Sequence, residues 1–277
     1  MRMRIIHVPY DSGYKDYRMG RGPRSILRHL KADRNFPVDE VEVHDRFALE
    51  VGPSFAVARQ IAEKVRHAVS NGAFPLILAG SCISCVGTIA GLGMPSPAII
   101  WLDAHGDFNT PETTISGFFD GMALATAVNR CWGKLAATVP GFRPVPERHV
   151  AQVGAHEFDV NERTLLDSSE VHLVDPQRMR RQGLDAELRP LLARIRTLAG
   201  RAYLHIDLDV LDSTEARVNQ FSAPGGLTLA ELLGVVGLVR KHFPLAAAAI
   251  TAYDPEYDHD DKAVRAAVAV IGELAKP

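Results

Sequence analysis

Along the chain, short uninterrupted apolar runs alternate with longer stretches in which apolar residues recur every three or four positions. The runs Arg4–Val8, Val41–His44, Phe74–Ala79, Ala98–Asp103, His149–Val153, Val171–Val174, Ala202–Asp207 and Leu245–Tyr253 read as strands. Most are continuously hydrophobic, the pattern of strands covered on both faces. Helical periodicity marks Ser54–Ser70, Ile83–Leu92, Met122–Asn129, Val160–Asp167, Asp185–Leu198, Leu229–Lys241 and Lys262–Ala275. Eight such βα units in 277 residues average about 35 residues each, close to the roughly 30 that a βαβ crossover needs. No Ser/Gly linker, low-complexity tract or repeat divides the sequence, so residues 1–277 are expected to form a single α/β domain. The Pro-rich stretch Val139–Pro146 reads as a surface excursion. A doubly wound parallel sheet and a closed barrel fit this alternation equally well, and both place chemistry at the carboxyl ends of the strands.

Charge and cysteine usage narrow the picture. With 31 Lys+Arg against 33 Asp+Glu the formal charge is −2, which argues against a nucleic-acid or anionic-membrane partner engaged through a bulk basic face. No stretch approaches the roughly 20 apolar residues that span a bilayer, and the first residues lack the pattern of a secretory leader. Three cysteines, Cys82, Cys85 and Cys131, are too few and too odd in number for a disulfide framework, which points to a reducing compartment and a cytoplasmic protein. Homo-oligomerisation is left open.

Polar residues placed where an apolar strand runs out carry the chemistry. Asp103, His105 and Asp107 follow the run Ala98–Leu102 at alternate positions, so their side chains share one side while the chain stays extended. Two carboxylates and an imidazole converging there oppose one another unless a cation holds them. Taken alone the segment also reads, as a lesser alternative, as a polar turn with a helix cap. A second cluster, Asp207 and Asp209, ends the run Ala202–Ile206. Four carboxylates and one imidazole are enough donors for two divalent ions, if some carboxylates bridge.

Asp103-Ala-His105-Gly-Asp107-Phe-Asn109-Thr110 with Ser116-Gly117 resembles the DAHxDxNT…SG signature of the arginase–agmatinase (ureohydrolase) family. His205-Ile-Asp207-Leu-Asp209-Val-Leu-Asp212 resembles its SxDxDxxDP signature. The resemblance implies a three-layer α/β fold with an eight-stranded parallel sheet between helices, favouring the sheet over the barrel. It also implies a dimanganese (Mn2+) site that activates water for attack on a guanidinium carbon. Asp103 and Asp207 would bridge both ions, Asp107 would complete one shell, and His105 and Asp209 the other. Asn109 and Ser116 fall where arginases hold the substrate α-carboxylate, and Asp159 where they contact the α-amino group, favouring an amino-acid head over a decarboxylated amine. Asp159 and Glu162 are equally read as an N-cap and first-turn acid of the next helix.

Three positions depart from the family pattern. The first ligand motif, GGDHS in the family, is Ala79-Gly80-Ser81-Cys82-Ile83 here, so Cys82 stands in place of a histidine. Thiolate is a soft ligand and manganese a hard ion, so one ion is expected to bind weakly or be replaced by another metal, and Cys82→His is expected to raise manganese occupancy. A cysteine there is reminiscent of the subgroup that includes N-omega-hydroxyarginine hydrolases. Asp120 replaces the proton-shuttle histidine, and Ala252 the glutamate that binds guanidinium, with Asp254 or Glu256 as candidates to compensate unless the substrate is not a plain guanidinium. The expected catalytic residues are Asp120, His156 and Glu162, and the expected substrate contacts Asn109, Ser116, Asp159 and Asp254. The expected activity is hydrolysis of a linear C–N bond in a guanidino or amidino compound. The alternatives are a non-catalytic metabolite-binding relative and another amide or amidine hydrolase on the same fold.

Overall fold

The computed structural model describes residues 3–30, 36–43 and 50–276. Eight strands form one sheet: β1 Met3–Val8, β2 Val38–Glu40, β3 Phe74–Ala79, β4 Ala98–Leu102, β5 Val150–Val153, β6 His172–Val174, β7 Ala202–Asp207 and β8 Leu245–Thr251. All neighbours run parallel, in the order β2-β1-β3-β8-β7-β4-β5-β6. β2 and β6 are free edges, so the sheet is open and not a barrel.

Alternation along the strands splits the core in two. Leu76, Leu78, Ile100, Leu102, Leu204, Ile206 and Ile250 face one side, beneath helices Gly22–His29, Leu184–Leu198, Leu229–His242 and Lys262–Leu274. Ile77, Ile99, Trp101, Tyr203, Ala247 and Ala249 face the other, beneath Val51–Ser70, Ser84–Leu92, Ala123–Ala127 and Val160–Asp167. With apolar cover on both faces, the central strands need no polar alternation, which is why their sequences read as unbroken hydrophobic runs.

The differences from the sequence reading lie at the sheet edge and the strand ends. The second strand is Val38–Glu40, not Val41–His44. It is an edge strand fixed by its ladder to Ile5–His7, with Val41 donating one further backbone bond to the His7 carbonyl (2.9 Å). His44 lies outside the described residues. β8 stops at Thr251 because Ala252 turns into the left-handed region (φ +58°). The expected helix Met122–Asn129 is a 3-10 turn, Asp120–Met122, followed by the short helix Ala123–Ala127. Helices Gly22–His29 and Pro176–Gln182, unforeseen, each carry proline in the first turn, where its missing N–H costs nothing.

Gly80 directly follows β3, and a Cβ there would stand 2.5 Å from the Gly20 nitrogen and 2.5 Å from the Tyr10 carbonyl oxygen. Glycine is required at this crossing because both neighbours are backbone atoms that cannot swing away. Gly80→Ala is therefore expected to destabilise the protein by about 2 kcal/mol or more. Urea unfolding measures this, and an unchanged midpoint would contradict the crossing.

Candidate metal centre

The loops that leave β3, β4, β7 and β8 meet at the carboxyl edge of the sheet, where strand order reverses and an open α/β sheet has its crevice. A cavity of about 320 Å³ opens there. Cys82, Asp103, His105, Asp107, Asp207 and Asp209 all line it, so the structure brings together every residue expected as a metal ligand.

Five of the six expected ligands fall into two groups that share Asp103, and Asp207 belongs to neither. Donor atoms of Cys82, Asp103 and Asp107 lie within 4.8 Å of one another, as do those of Asp103, His105 and Asp209. Their orientation is set largely by local hydrogen bonds. Asp103 Oδ1 accepts from the His105 amide (2.8 Å) and Oδ2 from Trp101 Nε1 (3.1 Å). Asp207 Oδ1 accepts from the Asp209 amide (2.9 Å). Asp209 accepts from Asn219 Nδ2 (3.1 Å), whose other bond goes to the Ala252 carbonyl (2.9 Å). Gln152 Nε2 donates to the carbonyls of His105 (2.8 Å) and Gly106 (2.6 Å), fixing the loop that carries the first motif. Glu162 packs against Gly106, where a Cβ would lie 2.5 Å from its carboxyl, and accepts from the amides of Phe108 (2.9 Å) and Asp159 (3.2 Å).

Electrostatics show what this arrangement lacks. Burial, then the charges of Asp103, Asp120 and Asp207, pushes Asp107 well above the usual carboxylate range. Burial and the neighbouring Asp209 and Asp103 do the same to Asp207. Asp103 is pushed up to about 6 by burial and by Asp209, against the pull of His105. Burial disfavours charge on His105, yet the Asp209 and Asp103 carboxylates hold it well above its ordinary value. Among the described residues, the buried Asp107 Oδ2 has no hydrogen-bond partner. An orphaned carboxylate oxygen amid oxygen, imidazole and sulfur donors is the chemistry of a divalent-cation site, and the residues fit one.

Around this floor stands a wall suited to a polar ligand. Asn109 Nδ2 donates to Asp159 Oδ2 (3.0 Å), and both line the cavity with Ser116. Asp159 also occupies the N-cap of helix Val160–Asp167, so its two readings describe one residue in two roles. Asp120 lines the cavity and accepts from Ser81 Oγ (2.6 Å) and the Ile83 amide (2.9 Å).

Two expected residues are placed elsewhere. The His156 ring bonds to the carbonyls of Gly154 (2.7 Å) and Pro224 (3.1 Å), outside the cavity lining. Asp254 is buried against Arg21 (3.1 Å), which also binds Glu256 (2.6 Å). Sequence reasoning missed Asn219 and Phe221, which line the cavity from a loop without a motif, and Phe118 and Glu157, which line it beside residues that were singled out.

An open parallel sheet with a carboxylate-rich centre at its reversal point defines an α/β protein with a candidate divalent-cation centre at its strand ends. The chain belongs to the arginase family, whose model matches residues 1–276. It is 28% identical to an arginase of Bacillus caldovelox over 290 aligned positions, covering 98% of this chain and 96% of that protein. The crystal structure of arginase from Bacillus subtilis superposes with a TM-score of 0.87 at 25% identity, covering 100% of this chain and 99% of the other. Formimidoylglutamase from Bacillus subtilis shares the fold at a TM-score of 0.78 and 21% identity, covering 98% and 84%. No helix among the described residues is long and apolar enough to cross a membrane.

The raised carboxylates carry a stability consequence. A carboxylate whose folded pKa exceeds its unfolded value binds more protons when folded, so stability falls as pH rises through that window. For Asp103 the window runs from 3.8 to about 6, and for Asp11, lifted by burial and the nearby Asp120 charge, from 3.8 to about 7. In metal-free protein each of these two groups is expected to contribute a loss on the order of 3 kcal/mol between pH 4 and pH 7, opposed by His205, which burial holds down to about 3 and whose contribution grows as pH rises to about 6.5. A bound divalent cation should relieve the part that arises at Asp103. Denaturant melts across pH with and without manganese check this, and a manganese-induced stabilisation that does not grow from pH 4 to pH 7 would contradict the charge crowding.

Proposed function

We propose that the chain is a manganese-dependent amidinohydrolase acting on an arginine-like amino acid. N-omega-hydroxyarginine or arginine would give hydroxyurea or urea together with ornithine. The observation that carries this reading is the joint presence of two donor sets sharing Asp103 on the floor and the Asn109–Asp159 pair with Ser116 on the wall. The floor suits hydrolysis of a planar C–N group, and the wall offers a donor, an acceptor and a hydroxyl to a zwitterionic head.

Cys82, Asp103, Asp107 and Asp207 would hold one ion, and Asp103, His105, Asp207 and Asp209 the other. When bound, such a pair supplies Lewis acidity and makes water nucleophilic at neutral pH. The protein's own residues do the rest. Asn109 and Ser116 orient the carboxylate end, Asp159 the amino end, and together they aim the side chain at the floor. Burial raises Asp120, so its carboxyl holds a proton at a pH where a free carboxylate would not, and it can donate that proton to the departing amine. Glu162 acts at one remove, fixing Phe108 and Asp159 through their amides.

The substrate's reacting end favours the hydroxylated guanidine. Ala252 puts only a methyl group into the cavity, so no carboxylate stands there to pair with a full guanidinium charge. N-hydroxylation lowers guanidine basicity, which weakens the need for that partner, while the departing ornithine amine is the same for both compounds and needs its proton in either case. Manganese-loaded protein is accordingly expected to turn over N-omega-hydroxyarginine with kcat/KM at least about tenfold above that for arginine, a difference of ~1.4 kcal/mol in transition-state binding. Ornithine release measured with both compounds and with agmatine tests this. Absence of turnover on all three, with manganese bound, would refute the proposal. Asp159→Ala is expected to raise KM about tenfold with kcat changed far less, since it removes a contact made equally in ground and transition states.

A further inference from the structure

Beneath the cavity floor, one side chain of the second motif stays out of the cavity lining yet touches a residue that forms it. His205 is fully buried on β7, two residues before Asp207, and its ring stacks on Trp101 with centroids 3.6 Å apart and planes 7° from parallel. Nδ1 lies 2.8 Å from the Tyr203 hydroxyl. Nε2 lies 3.2 Å from Cys82 Sγ and 3.2 Å from Thr251 Oγ1. Cys82 Sγ in turn stands 3.1 Å from Asp207 Oδ2 and 3.1 Å from Thr251 Oγ1.

The sulfur is thus enclosed on its inner side by three polar neighbours in contact. Only one of them, His205, is bulky, and it is wedged between Trp101 and Tyr203 with no free direction to retreat. The family signatures have histidine where this chain has Cys82 and serine where it has His205. Relative to that pattern the small and large side chains have changed places across one contact, which keeps the volume of the pair nearly constant.

We propose that His205 is a positioning residue for Cys82. Its ring fills the space that an imidazole at position 82 would need and presses Sγ toward Asp207 and the cavity floor. The two residues are therefore a coupled pair that determines which ligand can face the first ion. The metal part of this inference rests on the proposed function, whereas the packing part stands without it. The coupling also alters the expectation drawn from sequence: Cys82→His alone does not create a good manganese ligand, because His205 blocks the ring. Cys82→His combined with His205→Ser does.

The test is a double-mutant cycle on the full chain stripped of metal by chelation, comparing thermal unfolding of wild type, C82H, H205S and C82H/H205S. Each single variant is expected to lower Tm by about 5 °C, and the double variant to recover most of that loss. Melting shifts that simply add would overturn the pairing. If C82H fails to fold, cobalt(II) provides a second readout on the folded proteins. Wild type is expected to show thiolate-to-cobalt charge-transfer absorption in the near ultraviolet, H205S to lose most of it at equal cobalt content, and H205Q to retain most of it. An undiminished band in H205S would overturn the positioning role. A wild type fully loaded with cobalt but lacking the band would remove Cys82 from the ion and overturn the metal part, while leaving the packing result to stand on its own.

Discussion

Like charges forced together at the ends of adjacent strands are the constraint from which the rest of this site follows. β4 and β7 are hydrogen-bonded neighbours paired through Leu102 and Ile206, so the register sets Asp103 next to Asp207, and the segments that follow bring Asp107 and Asp209 to the same buried floor. Desolvation and mutual repulsion oppose their ionisation, and no Lys or Arg among the described residues lines the cavity to relieve it. The hydrophobic strands behind them supply the stability that makes such a floor tolerable.

Neutral donors hold the acids in place. Trp101, Asn219 and backbone amides hydrogen-bond to oxygens of Asp103, Asp207 and Asp209, while the buried Asp107 Oδ2 is left without a partner. Neutral anchors of this kind orient a ligand without pairing off the charge that a cation needs. Gln152 performs the same service for the loop itself, reaching from β5 to two carbonyls of the first motif. The site is thus positioned by four strands and steadied by a fifth.

Much of this was legible in the sequence, for physical reasons. Strands buried on both faces cannot be polar, so seven of the eight were visible as apolar runs. The edge strand Val38–Glu40 was not, because one side of it lacks a partner and its pairing is set by the backbone rather than by burial. The ligands were legible because packing alone gives little reason to set acids directly after an apolar strand. Asn219, Phe118 and Phe221 were not, since each reaches the cavity from an irregular loop whose path depends on tertiary packing. His156 and Asp254 sit close in sequence to cavity residues, yet a turn of the chain directs them to backbone carbonyls and to Arg21. His205 carried a signal that was visible but unused: a lone imidazole inside an apolar strand must find buried partners, and the cysteine opposite is one of them.

Ala252 adds a different kind of information. It holds a left-handed backbone conformation that disfavours any residue with a Cβ, and it does so at the rim of the cavity with only a methyl group to show for it. The cost of shaping the main chain has already been met there, and the Asn219 bond to its carbonyl keeps that shape in place. The end of β8 is therefore a preset socket: a different side chain at this one position would meet the cavity on a main chain already shaped for it.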